Sequence, residues 1–246
     1  MDISYWTGLN PNILKQETVK LMHGHYLYRL AIQVVGCSIL RNNQDIEDAI
    51  HWRNNKHRDY NWGGSWRKKP IGNDDSNLLK IIKDQLVYNE TSPRVNGHDL
   101  LKVRIEEPYI QFYSAQEQVL KDLASRLLYN NNLHFHSIMS PESVEKEKLI
   151  LEGFTLRKNK VKWPYRILMR DGKYSLESKN QIASYLKNLG SDIKVPQGLW
   201  EQLEKGNWIW GGYIYVHDKN IATVLGMMDP RLIAKIEEFK SPADEE

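Results

Sequence analysis

The feature that most narrows what this chain can fold into is an order of hydrophobic periods that occurs twice along its 246 residues. From Tyr26 the run YLYRLAIQVVG alternates large apolar and mixed residues up to Gly36, the pattern of a strand entering a turn. Ile46, Ala49, Ile50 and Arg53 then recur at helical spacing, and Leu78, Leu79, Ile82 and Leu86 mark one face of a second helix over 76–88. Two strand patterns follow, LLKVRI from Leu100 and YIQFY from Tyr109. Pro108 lies between them, and because it cannot donate to a ladder it belongs at a strand start or an edge. Ser114 and Glu117 have the spacing of a capping box ahead of Val119, Leu120, Leu123 and Leu127, and LHFHSIM ending at Met139 supplies a fourth strand.

The second half repeats this order: a strand over 161–170, a helix over 175–189, a short strand over 193–195, a small helix over 198–205 and a strand over 208–217. Asp218 then stands as a helix cap before Ile221, Val224, Leu225 and Met228, and a last strand covers 234–239. Local likenesses support a duplication. Tyr28-Arg29-Leu30 matches Tyr165-Arg166-Ile167, and Tyr109-Ile110 with Ser114 matches Tyr213-Ile214 with Asp218. The alternative is a chance likeness between two generic α/β stretches.

The expected class is α+β, as two tandem ferredoxin-like (βαββαβ) units, the first enlarged by a basic, tryptophan-rich helical or loop insert. The expected boundaries are an N-terminal segment over 1–25, a first unit over 26–139 with its insert at 52–72, a linker helix over 140–159 opened by Ser140-Pro141, a second unit over 160–240 and an acidic tail over 241–246. Each unit would place two helices on one face of a four-stranded antiparallel sheet and leave the other face open.

Strand alternation says which side chains that open face presents. On the third strands these are Tyr109, Gln111 and Tyr113 in one unit and Tyr213, Tyr215 and His217 in the other. The neighbouring first strands add Arg29 and Gln33, and Arg166 and Arg170. Flat rings stack on bases while guanidinium groups stack or bind phosphate, so the pattern suits a single-stranded nucleic-acid platform. Interface packing between sheets or with a protein partner favours the same residue types. Gly212-Tyr213-Ile214-Tyr215-Val216 resembles the middle of the third-strand pattern of the RNA recognition motif family, which implies stacking roles for Tyr213 and Tyr215. The chain departs from that pattern at Gly211, where the family has Lys or Arg, at Ile214, where it has Gly or Ala, and at Asp218, where it often has an aromatic residue.

The insert is the second candidate. Between Trp52 and Lys69 the cations Arg53, Lys56, Arg58, Arg67, Lys68 and Lys69 face a single acid, Asp59, and Trp52, Tyr60, Trp62 and Trp66 are interleaved around Gly63-Gly64. Basic side chains supply phosphate affinity through counterion release and indoles supply stacking. The same loop could instead fold over its own domain or anchor a protein partner. If it binds single strands, changing Arg67, Lys68 and Lys69 together to Glu abolishes binding and flattens its salt dependence.

No motif fixes a reaction. The phosphate-binding, dinucleotide, zinc-protease and serine-hydrolase patterns are absent from the sequence. His134 and His136, two apart on a strand, share the spacing of metal-dependent single-strand nickases, which resemble this fold, and are the only metal candidates. Tandem ferredoxin-like units of this length also resemble the CRISPR repeat-processing endonucleases, which cut RNA without metal; Gly206 and Gly211-Gly212 are all that stands for their glycine-rich loop. Cys37 is the single cysteine and sits in the apolar run VVGCSIL, where a buried inert thiol is expected and no disulfide is possible within the chain.

The chain has no 18-residue apolar run and a first stretch unlike a signal peptide, which predicts a cytoplasmic protein or one within a viral particle, with no membrane partner. The expectation is therefore a non-enzymatic nucleic-acid-binding protein for RNA or single-stranded DNA, with no cofactor. The alternatives are an assembly subunit that binds other protein subunits, and a metal-independent RNA endonuclease.

Overall fold

The computed structural model describes residues 2–41, 45–56, 71–90, 94–95, 98–128, 134–205 and 208–241. The fold is mixed α+β and divides into two compact units, Met1–Glu147 and Lys148–Glu246. In chain order the first holds α1 (Ile3–Leu9), β1 (Leu14–Glu17), β2 (Tyr28–Gln33), α2 (Ile46–Lys56), α3 (Asn73–Glu90), the short pair β3 (Arg94–Val95) and β4 (His98–Asp99), β5 (Lys102–Glu106), β6 (Tyr109–Ser114), α4 (Glu117–Leu127) and β7 (His134–Ser140). The chain passes between units within α5 (Val144–Leu151). The second holds β8 (Thr155–Leu156), β9 (Tyr165–Met169), β10 (Gly172–Lys173), α6 (Leu176–Leu189), β11 (Ile193–Lys194), α7 (Gln197–Glu204), β12 (Trp208–Ile209), β13 (Tyr213–Val216), α8 (Ile221–Met228) and β14 (Ile233–Lys240).

Each unit is built on a five-stranded sheet, and the two sheets have the same order. The first runs β1-β7-β2-β6-β5 and the second, read from its other edge, β8-β14-β9-β13-β11. In both, the outermost strand lies parallel to its neighbour and every other pairing is antiparallel. The pairing of the unit's central strand with its last strand is irregular in both, between Ala31 and Ile32 in one and between Ile233 and Lys235 in the other.

One face of each sheet makes the core. Leu30, Ile32, Ile110, Phe112, Phe135 and Ile138 are fully buried in the first unit, as are Leu120 and Leu127 on α4. In the second, Ile167, Met169, Ile214 and Val216 close over Ile182 and Leu186 of α6, Leu199 and Leu203 of α7, and Leu225 of α8. Each such side chain withdrawn from water stabilises the fold by about 1.5–3 kcal/mol. Gly36 allows β2 to end in its turn: it has φ +85°, and a Cβ there would lie 2.5 Å from Ile71 Cδ1.

Several local expectations are corrected. The sheets have five strands rather than four, because residues 14–17 and 155–156 each add a parallel edge strand. Neither is legible in the sequence, since LKQE lacks apolar alternation and TL is two residues long. Residues 1–25 do not stand apart from the first unit. Trp6 of α1 is fully buried and its indole Nε1 donates to Glu117 Oε1 at 2.9 Å, while the Tyr5 hydroxyl donates to Lys121 O at 3.0 Å.

That contact also undoes the expected capping box. Glu117 serves the indole and the Asp2 backbone N–H at 3.0 Å, and Gln116, with no side-chain cap, precedes the helix. Ser114 Oγ instead accepts from Gln116 N at 3.2 Å and donates to Leu100 O at 3.0 Å. The expected linker helix begins at Val144 rather than at Ser140-Pro141, with Ser143 Oγ accepting from Lys146 N at 3.2 Å. Asp218 forms a turn, accepting from Asn220 N at 2.9 Å, and Asn220 rather than Asp218 precedes α8. Among the described residues no helix is long and apolar enough to cross a membrane.

Candidate nucleic-acid interface

The ladder register places Tyr213 and Tyr215 opposite Leu168 and Arg166, and Glu237 opposite Arg166, all on the sheet face away from the second unit's core. These side chains form a continuous layer. The Tyr213 and Tyr215 rings meet edge to face at 5.4 Å, and Tyr215 lies 6.1 Å from Phe239. The Arg166 guanidinium sits 5.7 Å from the Tyr213 ring and 5.6 Å from Phe239. Arg166 is already neutralised, because its Nε donates to Glu237 Oε2 at 3.0 Å and Glu237 is only 5% exposed. Arg166, expected to stack on bases or bind phosphate, thus has its charge balanced by a buried carboxylate within the aromatic layer.

Free positive charge enters this face from the loop between β8 and β9. Arg157 N donates to Lys240 O at 2.8 Å and Phe239 N donates to Pro164 O at 2.7 Å, so β14 anchors the loop at both ends. Between those anchors Arg157, Lys158, Lys160 and Lys162 are exposed. Together with Lys194 of β11 they line a cleft of about 500 Å³, with Trp163, Tyr215 and Phe239 as its aromatic surfaces and Asn159 as a neutral polar group. Among the described residues no carboxylate lines it. Among the described residues no carboxylate forms an ion pair with any of these five cations. Arg157 stacks on Phe239 at 4.5 Å, Lys162 Nζ lies 5.3 Å from the Trp163 ring, and Trp163 packs on His217 at 4.4 Å.

None of the five cations belonged to the expected contact set, nor did Trp163 or Phe239. The signal was present: RKNKVKW puts four cations and a tryptophan into residues 157–163. The expected boundary between linker and second unit cut through that run. Gly212, which anchored the likeness to an RNA-binding strand, has a packing reason of its own. A Cβ there would stand 2.7 Å from Ile209 Cγ2 and 3.1 Å from Leu199 Cδ1.

In the first unit the same face is partly closed. Arg29, Gln111, Tyr109 and Tyr113 lie on it by register. Tyr113, expected to point into solvent, is only 5% exposed because the His23 ring packs edge-on against it at 4.6 Å and Tyr26 approaches to 6.4 Å. Burial raises the Tyr113 pKa, with Arg29 and Arg104 opposing. The Arg29 guanidinium donates to Gln16 Oε1 on the edge strand. Tyr109 remains half-buried and stacks with His136 at 4.5 Å.

His136 titrates below the usual histidine range, because burial disfavours its charged form and His134 and Arg29 add to that. Among the described residues no group of three potential metal ligands occurs, so His134 and His136 have no third ligand there.

The insert residues fare differently from one another. Trp52 is 56% exposed on α2. Arg53 is corrected: it is 4% exposed, and its Nη1 donates to Glu107 Oε2 at 2.9 Å and Ser38 Oγ at 3.1 Å, inside the unit. Arg58, Tyr60, Trp62, Trp66, Arg67, Lys68 and Lys69 lie outside the described residues, as does the side chain of Lys56.

Comparison with protein-family models, with curated proteins and with solved structures finds no match to this chain.

Proposed function

We propose that this chain is a single-stranded nucleic-acid-binding protein for RNA or single-stranded DNA, acting in the cytoplasm or within a viral particle. We read its two units as tandem ferredoxin-like units whose strand-bearing faces are the working surfaces. The shared strand order, with its central strand flanked by the third and last strands, supports the architectural part of this reading. The observation that carries the functional part is the cleft of the second unit: five cations, with no lining carboxylate among the described residues, set against Trp163, Tyr215 and Phe239. Cations give a strand salt-dependent affinity and rings give stacking that tolerates any base.

A second reading, an assembly subunit that binds protein, is favoured by Trp208, Trp210 and Met227, which are all exposed large apolar side chains on the second unit. Tryptophan fluorescence titrated with short RNA and DNA oligomers separates the two. With about four phosphate contacts, single-strand binding weakens about 50-fold between about 50 and about 200 mM salt. Absence of saturable quenching at low salt overturns strand binding and leaves the protein-binding reading.

A further inference from the structure

We propose that the cleft between the β8–β9 loop and the outer sheet face of the second unit is a site for a nucleotide bearing a terminal phosphate or polyphosphate, as a strand end or as a free nucleotide. The proposal rests on the strand-binding reading and names what the site selects.

The first argument is charge. Arg157, Lys158, Lys160 and Lys162 come from the loop and Lys194 from β11, so cations approach the cleft from two separate elements. An internal phosphodiester brings about one negative charge, whereas a terminal phosphomonoester carries about −1.5 to −2 at neutral pH. A polyphosphate brings more. Five cations with no acidic partner among the described residues repel one another, and the ligand that relieves most of that repulsion is the most highly charged one that fits.

The second argument is size and shape. The cleft measures about 500 Å³, within the range of small-ligand sites. Trp163 and Tyr215 offer ring surface for one base, and the Asn159 amide offers both a donor and an acceptor. The third is the kind of cation. Four of the five are lysines, compact charges on flexible stems that can converge on one phosphate group from several sides. The loop that carries most of them is pinned to β14 at both ends, which reduces the ordering cost of gathering them around a ligand.

The test uses the full chain and one oligonucleotide sequence prepared with 5′-hydroxyl, 5′-phosphate, 5′-triphosphate and 3′-phosphate ends, together with a free nucleoside 5′-triphosphate as competitor. Tighter binding of a phosphorylated end, about tenfold or more over the hydroxyl form, supports the site, and the 5′ and 3′ arms say which end enters. Competition by the free nucleotide with no preference among strands also supports it, with the nucleotide as the ligand. Lys160→Ala combined with Lys162→Ala, both exposed, is expected to erase the discrimination while the circular dichroism spectrum stays unchanged. Equal binding of all four strands with no competition by the nucleotide overturns the proposal and leaves strand binding intact. Binding of the nucleotide but of no strand keeps the cleft and overturns strand binding, and binding of neither overturns both.

Discussion

Arg53 shows how a single residue can be read two ways from its neighbours. Counted by charge it belongs to the basic insert; counted by spacing it falls on the same helical stripe as Ile46, Ala49 and Ile50, and the stripe decides. Its guanidinium is buried and bonded to Glu107 and Ser38, so removing it deprives a half-buried carboxylate of the Arg53 charge. Arg53→Ala is expected to lower unfolding stability by about 3 kcal/mol, the low end for a broken buried pair because Glu107 keeps some contact with water. The urea midpoint measures it, and a loss below about 1 kcal/mol means the pair behaves like a surface pair. Cys37 beside it needs no such revision. Burial, followed by the Glu107 charge, pushes its thiol up to about 12, which keeps it protonated and unreactive as the sequence led us to expect.

Among the elements, the segment before β2 changes the first unit most. Met22 and Tyr26 form a bridge, His23 sits in the left-handed region at φ 49°, and its ring covers Tyr113. His23 titrates below the ordinary histidine value, through burial first and then the nearby charges of Lys102 and Arg104. The native contact therefore holds the neutral imidazole. Its stability is fully present above the unfolded value of about 6.5 and is lost as pH falls through the lower folded value. Acidification from about pH 7 to about pH 5 is expected to speed hydrogen exchange at the Tyr26 amide, which donates to Met22 O at 3.0 Å, beyond the intrinsic pH effect. His23→Phe should flatten that response, and an unchanged profile in the variant would mean that another group governs the opening.

Across the whole molecule, the two units share a strand order but differ in what lies on the outer face. The first covers Tyr113 with His23 and draws Arg29 toward Gln16; the second leaves a basic cleft beside its tyrosines. On the strand-binding reading this adds the second unit's cleft to the first unit's charged insert as a candidate contact. Lys158→Glu, Lys160→Glu and Lys162→Glu together are expected to weaken strand binding more than Arg67→Glu, Lys68→Glu and Lys69→Glu, and to reduce the magnitude of the logarithmic salt slope by about 2, at about 0.7 for each lost contact. Fluorescence titrations of the two triple variants at several salt concentrations check the ranking, and equal losses would mean that both regions contact the strand.

The mixed α+β class, the positions of the long strands and helices, and the core-facing side of β6, β9 and β13 are legible along the chain. Those follow from periods of 2 and 3.6, which are local properties of a few consecutive residues. It takes the folded chain to show that Glu117 serves Trp6, that Arg166 is neutralised by Glu237, and that residues 157–163 converge with Lys194 on one cleft. Each of these depends on the partner that a polar group meets across the fold, and a charge buried beside a distant residue is governed by that neighbour rather than by its place in the chain.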